Sequence, residues 1–111
     1  MKLNRDNMSG HIVKSSDVYT VIDNSDLSSL VVSKTILHPQ KETTGHSHAG
    51  QEEVYQFVHG TGEMEVGQNK FGVAAGDVVL IPDGLFHKVW NTSCVEDLVF
   101  VCIFGGKRSH Q

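Results

Sequence analysis

Apolar positions along the chain come in short bursts, and glycines separate them. The bursts are "SLVVSKTIL" (29–37), "EVYQFV" (53–58), "GEMEV" (62–66), "KFGVA" (70–74), "DVVLIP" (77–82), "FHKVWN" (86–91) and "LVFVCIF" (98–104). Each is of strand length and rich in β-branched or aromatic residues, which suit a pleated, half-buried surface. Gly45, Gly50, Gly60, Gly62, Gly67, Gly72, Gly76 and Gly84 punctuate the middle of the chain. No window holds a helical apolar period, and "DLSSL" at 26–30 allows one helical turn at most. Many short strands with glycine-rich turns predict an all-β sandwich or barrel, an arrangement that also removes exposed strand edges. The 111 residues suit one domain spanning 1–111. Its ordered core is expected over about 18–104, with loose ends on either side.

Alternation assigns faces. Glu53, Tyr55 and Phe57 share one face of their strand; Glu52, Val54 and Gln56 share the other. His87, Val89 and Asn91 likewise lie opposite Phe86, Lys88 and Trp90.

Charge narrows the class of partner. With 9 Lys+Arg against 13 Asp+Glu, the formal net charge is −4. No basic block stands out, which argues against nucleic acid or an anionic membrane as the main partner. Lys107 and Arg108 read as a solvated tail. No apolar run has membrane-spanning length, and "MKLNRDNMSGH" lacks the apolar region of a secretory signal. A soluble, cytoplasmic protein is expected. Cys94 and Cys102 lack CxxC spacing and read as reduced, partly buried thiols.

The candidate chemistry centres on "GHSHAGQEEVYQFVHG" (45–60). His46 and His48, two apart, share a strand face. Paired imidazoles are poor core filler because each needs a polar partner, but they are good metal ligands when further donors arrive. Glu53 follows after the Gly50 turn, and Glu52 is its rival. A further imidazole, His87, lies just inside the strand after the Pro82–Gly84 turn.

At these residues the chain resembles the cupins, a superfamily of small β-barrels related to germins, in its single-domain, cupin 2 type, RmlC-like form. The first cupin motif, HxH followed after three or four residues by Glu and after six more by Gly, is matched by His46, His48, Glu53 and Gly60. The gap to Gly60 favours Glu53 over Glu52. The second motif is matched by Gly76, Pro82, Gly84, His87 and Asn91 at every fixed position. One departure precedes them: Gln40 stands where the first motif begins with glycine. Two matched motifs are far more specific than a lone HxH.

The resemblance implies a double-stranded β-helix, the jelly-roll barrel. Inside it His46, His48, Glu53 and His87 would hold one divalent transition metal, among iron, manganese, nickel, cobalt, copper and zinc. The residues agree with this, since three imidazoles and one carboxylate do not make a calcium cage. The resemblance also implies a homodimer, and Trp90 on the outer face fits one. Tyr55 shares the face of Glu53 and is a candidate for proton transfer, or else an aromatic that seals the pocket. His59 falls on the same face by alternation, but at the strand end next to Gly60, where a rim position is expected, and is a second candidate.

Such a site suits a metal-dependent enzyme acting on a small polar metabolite: a sugar, a sugar phosphate, or a hydroxy or keto acid. The isomerase or lyase type works by carbonyl polarisation and proton transfer. An iron-dependent dioxygenase or other oxidoreductase, and a non-catalytic metal- or ligand-binding cupin, are the alternatives.

Overall fold

The computed structural model describes residues 1–47 and 49–106. Its strands are β1 (His11–Ser15), β2 (Tyr19–Asn24), β3 (Leu30–Leu37), β4 (Glu53–His59), β5 (Thr61–Val66), β6 (Asn69–Ala74), β7 (Val78–Ile81), β8 (His87–Asn91) and β9 (Leu98–Gly105). Every pairing is antiparallel. One sheet has six strands in the order β1-β2-β3-β9-β4-β7, the other three in the order β6-β5-β8. The segment 41–46 extends the smaller sheet along β8: Thr43 N–H donates to Val89 O at 2.9 Å, and His46 and His87 exchange backbone hydrogen bonds at 3.2 and 3.0 Å. The two sheets close on each other as the all-β jelly roll. No helix among the described residues is long and apolar enough to cross a membrane.

Alternation builds the core. Phe57 of β4, Phe100 and Phe104 of β9, Leu37 of β3, and Met64 and Val89 of the smaller sheet all turn inward and are almost completely buried. Fully burying side chains of this kind stabilises the fold by about 1.5–3 kcal/mol each. The intervening residues, Val54, Gln56, Lys88 and Trp90 among them, face outward. Lys70 Nζ and Lys88 Nζ cover the Trp90 ring at 4.2 and 5.2 Å from its centroid, so this aromatic is shielded by cations rather than bare.

The seven apolar bursts correspond to β3 through β9. "DLSSL" forms bends rather than a helical turn: it is exposed throughout, with no apolar face to bury. Two strands were not read from the sequence. In β2 the inward positions are Tyr19, Val21 and Asp23, and the buried Asp23 breaks the apolar alternation. β1 precedes the expected core. The first ten residues also differ from the loose end expected: Met8 is buried, Asn24 Nδ2 donates to Met8 O at 3.0 Å, Arg5 Nη1 donates to Val58 O at 2.9 Å, and Lys34 Nζ donates to Arg5 O. Lys107, Arg108 and His110 lie outside the described residues.

Candidate metal centre

The site forms where the two inner sheet faces meet. His46 and His87 come from the smaller sheet as direct cross-strand neighbours, their rings edge-on with centroids 4.9 Å apart. Glu53 and Tyr55 come from β4 in the larger sheet, opposite them. Glu53 is 4% exposed whereas Glu52 is exposed, so β4 begins with Glu53 turned inward, as alternation requires. Gly50 N–H donates to Asp83 Oδ1 at 2.6 Å, tying the loop before β4 to the turn before β8.

His87 is buried and tied to its own turn. Its Nδ1–H donates to Leu85 O at 3.1 Å, which leaves the neutral ring with its lone pair on Nε2. That Nε2 is buried and lies 2.9 Å from Glu53 Oε2, yet it makes no aligned hydrogen bond. Burial alone lowers the pKa of His87, but the contact with Glu53, the Leu85 carbonyl and the Glu53 charge outweigh it, and the pKa stands above the usual 6.5. A buried imidazole nitrogen and a carboxylate oxygen 2.9 Å apart form an ion pair when His87 is protonated, and the same two atoms can hold a divalent cation when it is not. The donor chemistry of His46, Glu53 and His87 fits a transition metal. His48 lies outside the described residues. Among the described residues no three His, Cys, Asp or Glu side chains stand close enough to hold a metal by themselves.

Tyr55 is 7% exposed. Its ring is edge-on to His87 at 5.7 Å and stacked on Phe100 at 5.1 Å. It therefore lines the same cavity, which has a volume of about 50 Å³ and includes His46, Glu53 and His87 in its wall. His59 is not brought there, contrary to the face expected from alternation. The β4–β9 ladder shifts between Phe57 and His59, so His59 pairs with outward-facing Val99. It sits 3.9 Å from Glu96 Oε1 in an outer groove with Arg5 and Lys34. A bulge of this kind leaves no signal in a strand's apolar pattern. His38 also stays outside the cavity, 3.2 Å from Asp97 Oδ1.

Asn91 of the second motif is structural here. It is buried, and its side-chain amide donates to Leu37 O at 2.9 Å and Glu96 O at 2.8 Å while its Oδ1 accepts from Ser93 N–H. Among the cavity residues that sequence reasoning did not single out are Lys14 of β1, Tyr19 of β2, and the hydroxyl-bearing Ser33, Thr35, Thr43 and Thr44.

Comparison with known proteins adds relatives. A family profile described as Cupin domain matches residues 33–104. An uncharacterized protein of Methanocaldococcus jannaschii is 30% identical over 73 residues, which is 66% of this chain and 58% of that protein's length. Among solved structures, KdgF from Halomonas sp. superposes with a TM-score of 0.79 at 16% identity, covering 93% of this chain and 92% of that one. Bacillus subtilis oxalate decarboxylase, a protein with Mn(II) centres, superposes with a TM-score of 0.80 at 21% identity, covering 93% of this chain and 29% of that one. At these identities the likeness is one of fold.

Proposed function

The chain belongs to the cupin family, and from that premise we propose that it is a metal-dependent enzyme acting on a small polar metabolite by carbonyl polarisation and proton transfer, of isomerase or lyase type. The observation that carries the reading is the buried His87 Nε2, held 2.9 Å from the buried Glu53 Oε2 with the His46 ring beside it. His46, His48, Glu53 and His87 are the residues that would hold the metal. When bound, a divalent ion supplies Lewis-acid polarisation of a substrate oxygen. The Mn(II) centres of the oxalate decarboxylase, on the same fold, support metal use in a barrel of this kind.

The chain's own groups do the rest. The Leu85 carbonyl fixes the His87 tautomer so that its free nitrogen faces the cavity. Phe100 and Phe104 wall off water, which strengthens every charge interaction inside. Tyr55 sets its ring against His87, and in this reading it holds or moves a proton at its Oη. His59, in the outer groove, takes no part in that transfer. A cavity of about 50 Å³ suits a small ligand rather than a polymer.

The reading includes a cytoplasmic location, in keeping with the exposed free thiol of Cys94. It also includes a homodimer. Edge strand β7 carries Val78 and Leu80 at 57% and 69% exposure, apolar surface that a second copy would cover.

The test is metal content and turnover together. Parent protein is expected to retain about one divalent ion, and His87→Ala to lose at least tenfold in affinity. Equal metal content in both would remove the assignment. Parent loaded in turn with iron(II), manganese(II), nickel(II) and zinc(II) is then assayed on aldoses, ketoses, sugar phosphates and hydroxy and keto acids, with oxygen uptake recorded. Turnover without oxygen consumption is expected. Oxygen consumption would move the protein to the oxidoreductases, and absence of turnover with every pair would leave a binding protein.

A further inference from the structure

β1 pairs with β2 through a bulge. His11 faces Asp23 and Ile12 faces Ile22, but Lys14, not Val13, faces Val21. In β2 the inward residues are Tyr19, Val21 and Asp23, and directly paired residues in an antiparallel ladder share a face. Without the bulge, Lys14 would pair with outward-facing Thr20. The single extra residue therefore turns this lysine from the outside of the barrel to the inside, a typical use of a bulge.

Inside, Lys14 reaches the same cavity as His46, Glu53, Tyr55 and His87. It is the one lysine or arginine among the described lining residues, and Glu53 is the one acid. Lys14 Nζ stands 3.5 Å from Tyr19 Oη, at the long limit of a hydrogen bond, so the ammonium is near the phenol without being locked to it. Lysine is strongly hydrated, and drawing it toward a half-buried wall costs free energy unless an anion meets it. With a divalent ion bound and Glu53 ionised, the cavity carries a net charge of about +2, which draws in anions.

We propose that Lys14, with the Tyr19 hydroxyl, is the substrate-recognition point of this cavity and takes a carboxylate, so that the substrate is a short organic acid whose other oxygen-bearing end lies toward His46, Glu53 and His87. The inference rests on the enzymatic reading above and narrows its substrate class from small polar metabolites to hydroxy or keto acids. Neutral sugars offer the ammonium hydroxyl acceptors but no charge to offset its desolvation. The small cavity, about 50 Å³, suits a planar carboxylate better than the bulkier, tetrahedral phosphate monoester.

The test uses malonate and its half-amide, malonamate, as probes, titrated calorimetrically into dialysed manganese(II)-loaded protein. The two differ only in whether the second end is charged. Parent is expected to bind malonate at least tenfold more tightly than malonamate. Lys14→Met is expected to abolish that preference with manganese content unchanged, Lys14→Arg to retain most of it, and Tyr19→Phe to reduce it by a few fold. Equal preference in parent and Lys14→Met, or no preference in the parent, overturns the proposal. Failure of the metal reading shows separately, as parent protein that retains no manganese. The same titrations on that protein then still report whether Lys14 sets the affinity for malonate.

Discussion

At the scale of single residues, the site turns on His87. His87 is held through Nδ1 by its own turn and faces Glu53 through Nε2. Because its pKa is raised, its contribution to the stability of the metal-free protein is present below about pH 6.5 and is lost as pH rises through the folded-state value. Thermal melts of metal-free parent and Glu53→Gln across neutral pH check this: the parent should lose stability on passing upward through that window, and the variant should show a flatter profile. Metal has the opposite dependence. A proton on Nε2 competes with the ion, so affinity should fall as pH drops below the same value, measurable by competition with a chelator. Tyr55 is tested by Tyr55→Phe, which keeps the stack on Phe100. Metal content should be unchanged and turnover reduced by about 10²–10⁴ if the phenol transfers the proton.

At the scale of elements, turns place the ligands. Gln40, which stands where the first cupin motif begins with glycine, adopts φ of +61°, in the left-handed region that glycine enters freely. The chain has kept the turn and accepted the strain. Gln40→Gly should raise stability by up to about 1 kcal/mol, the relief being offset in part by glycine's unfolded-state entropy, and denaturant titration reads it. Gly60 shows the converse. At φ of +87°, a Cβ there would lie 2.4 Å from Asp97 O, so Gly60→Ala should displace the β4–β5 turn and destabilise by more than about 1 kcal/mol. The glycine of the first motif is therefore needed for close backbone approach to the β9 side, not for the metal.

At the scale of the whole molecule, two sheets of six and three strands leave an apolar edge at β7. An open edge with Val78 and Leu80 outward is a hazard unless covered. Light scattering is expected to report a dimer, and Leu80→Glu to shift it toward monomer. A monomeric parent would remove the homodimer reading. Metal should also raise the thermal midpoint, since an ion that binds the folded state alone stabilises it by mass action.

How much was legible follows from range. Strand existence is local: β-branched and aromatic bursts between glycines are written in neighbouring residues, and β3 through β9 could be read from them. Spacing around His46, Glu53 and His87 carried the likeness to cupins, because a ligand set constrains residue types wherever it recurs. Buried Asp23 disguised β2, and β1 had too few apolar residues to stand out. The sequence alone thus determined the class of fold, the inward choice of Glu53 over Glu52, and the pairing of two distant motifs. Only tertiary structure decided the rest, since it turned on register. One bulge in β4 sent His59 to the outside, and another in β1 sent Lys14 to the inside. A strand's facing reverses with each residue added, and no local pattern reports which residue a partner strand skips.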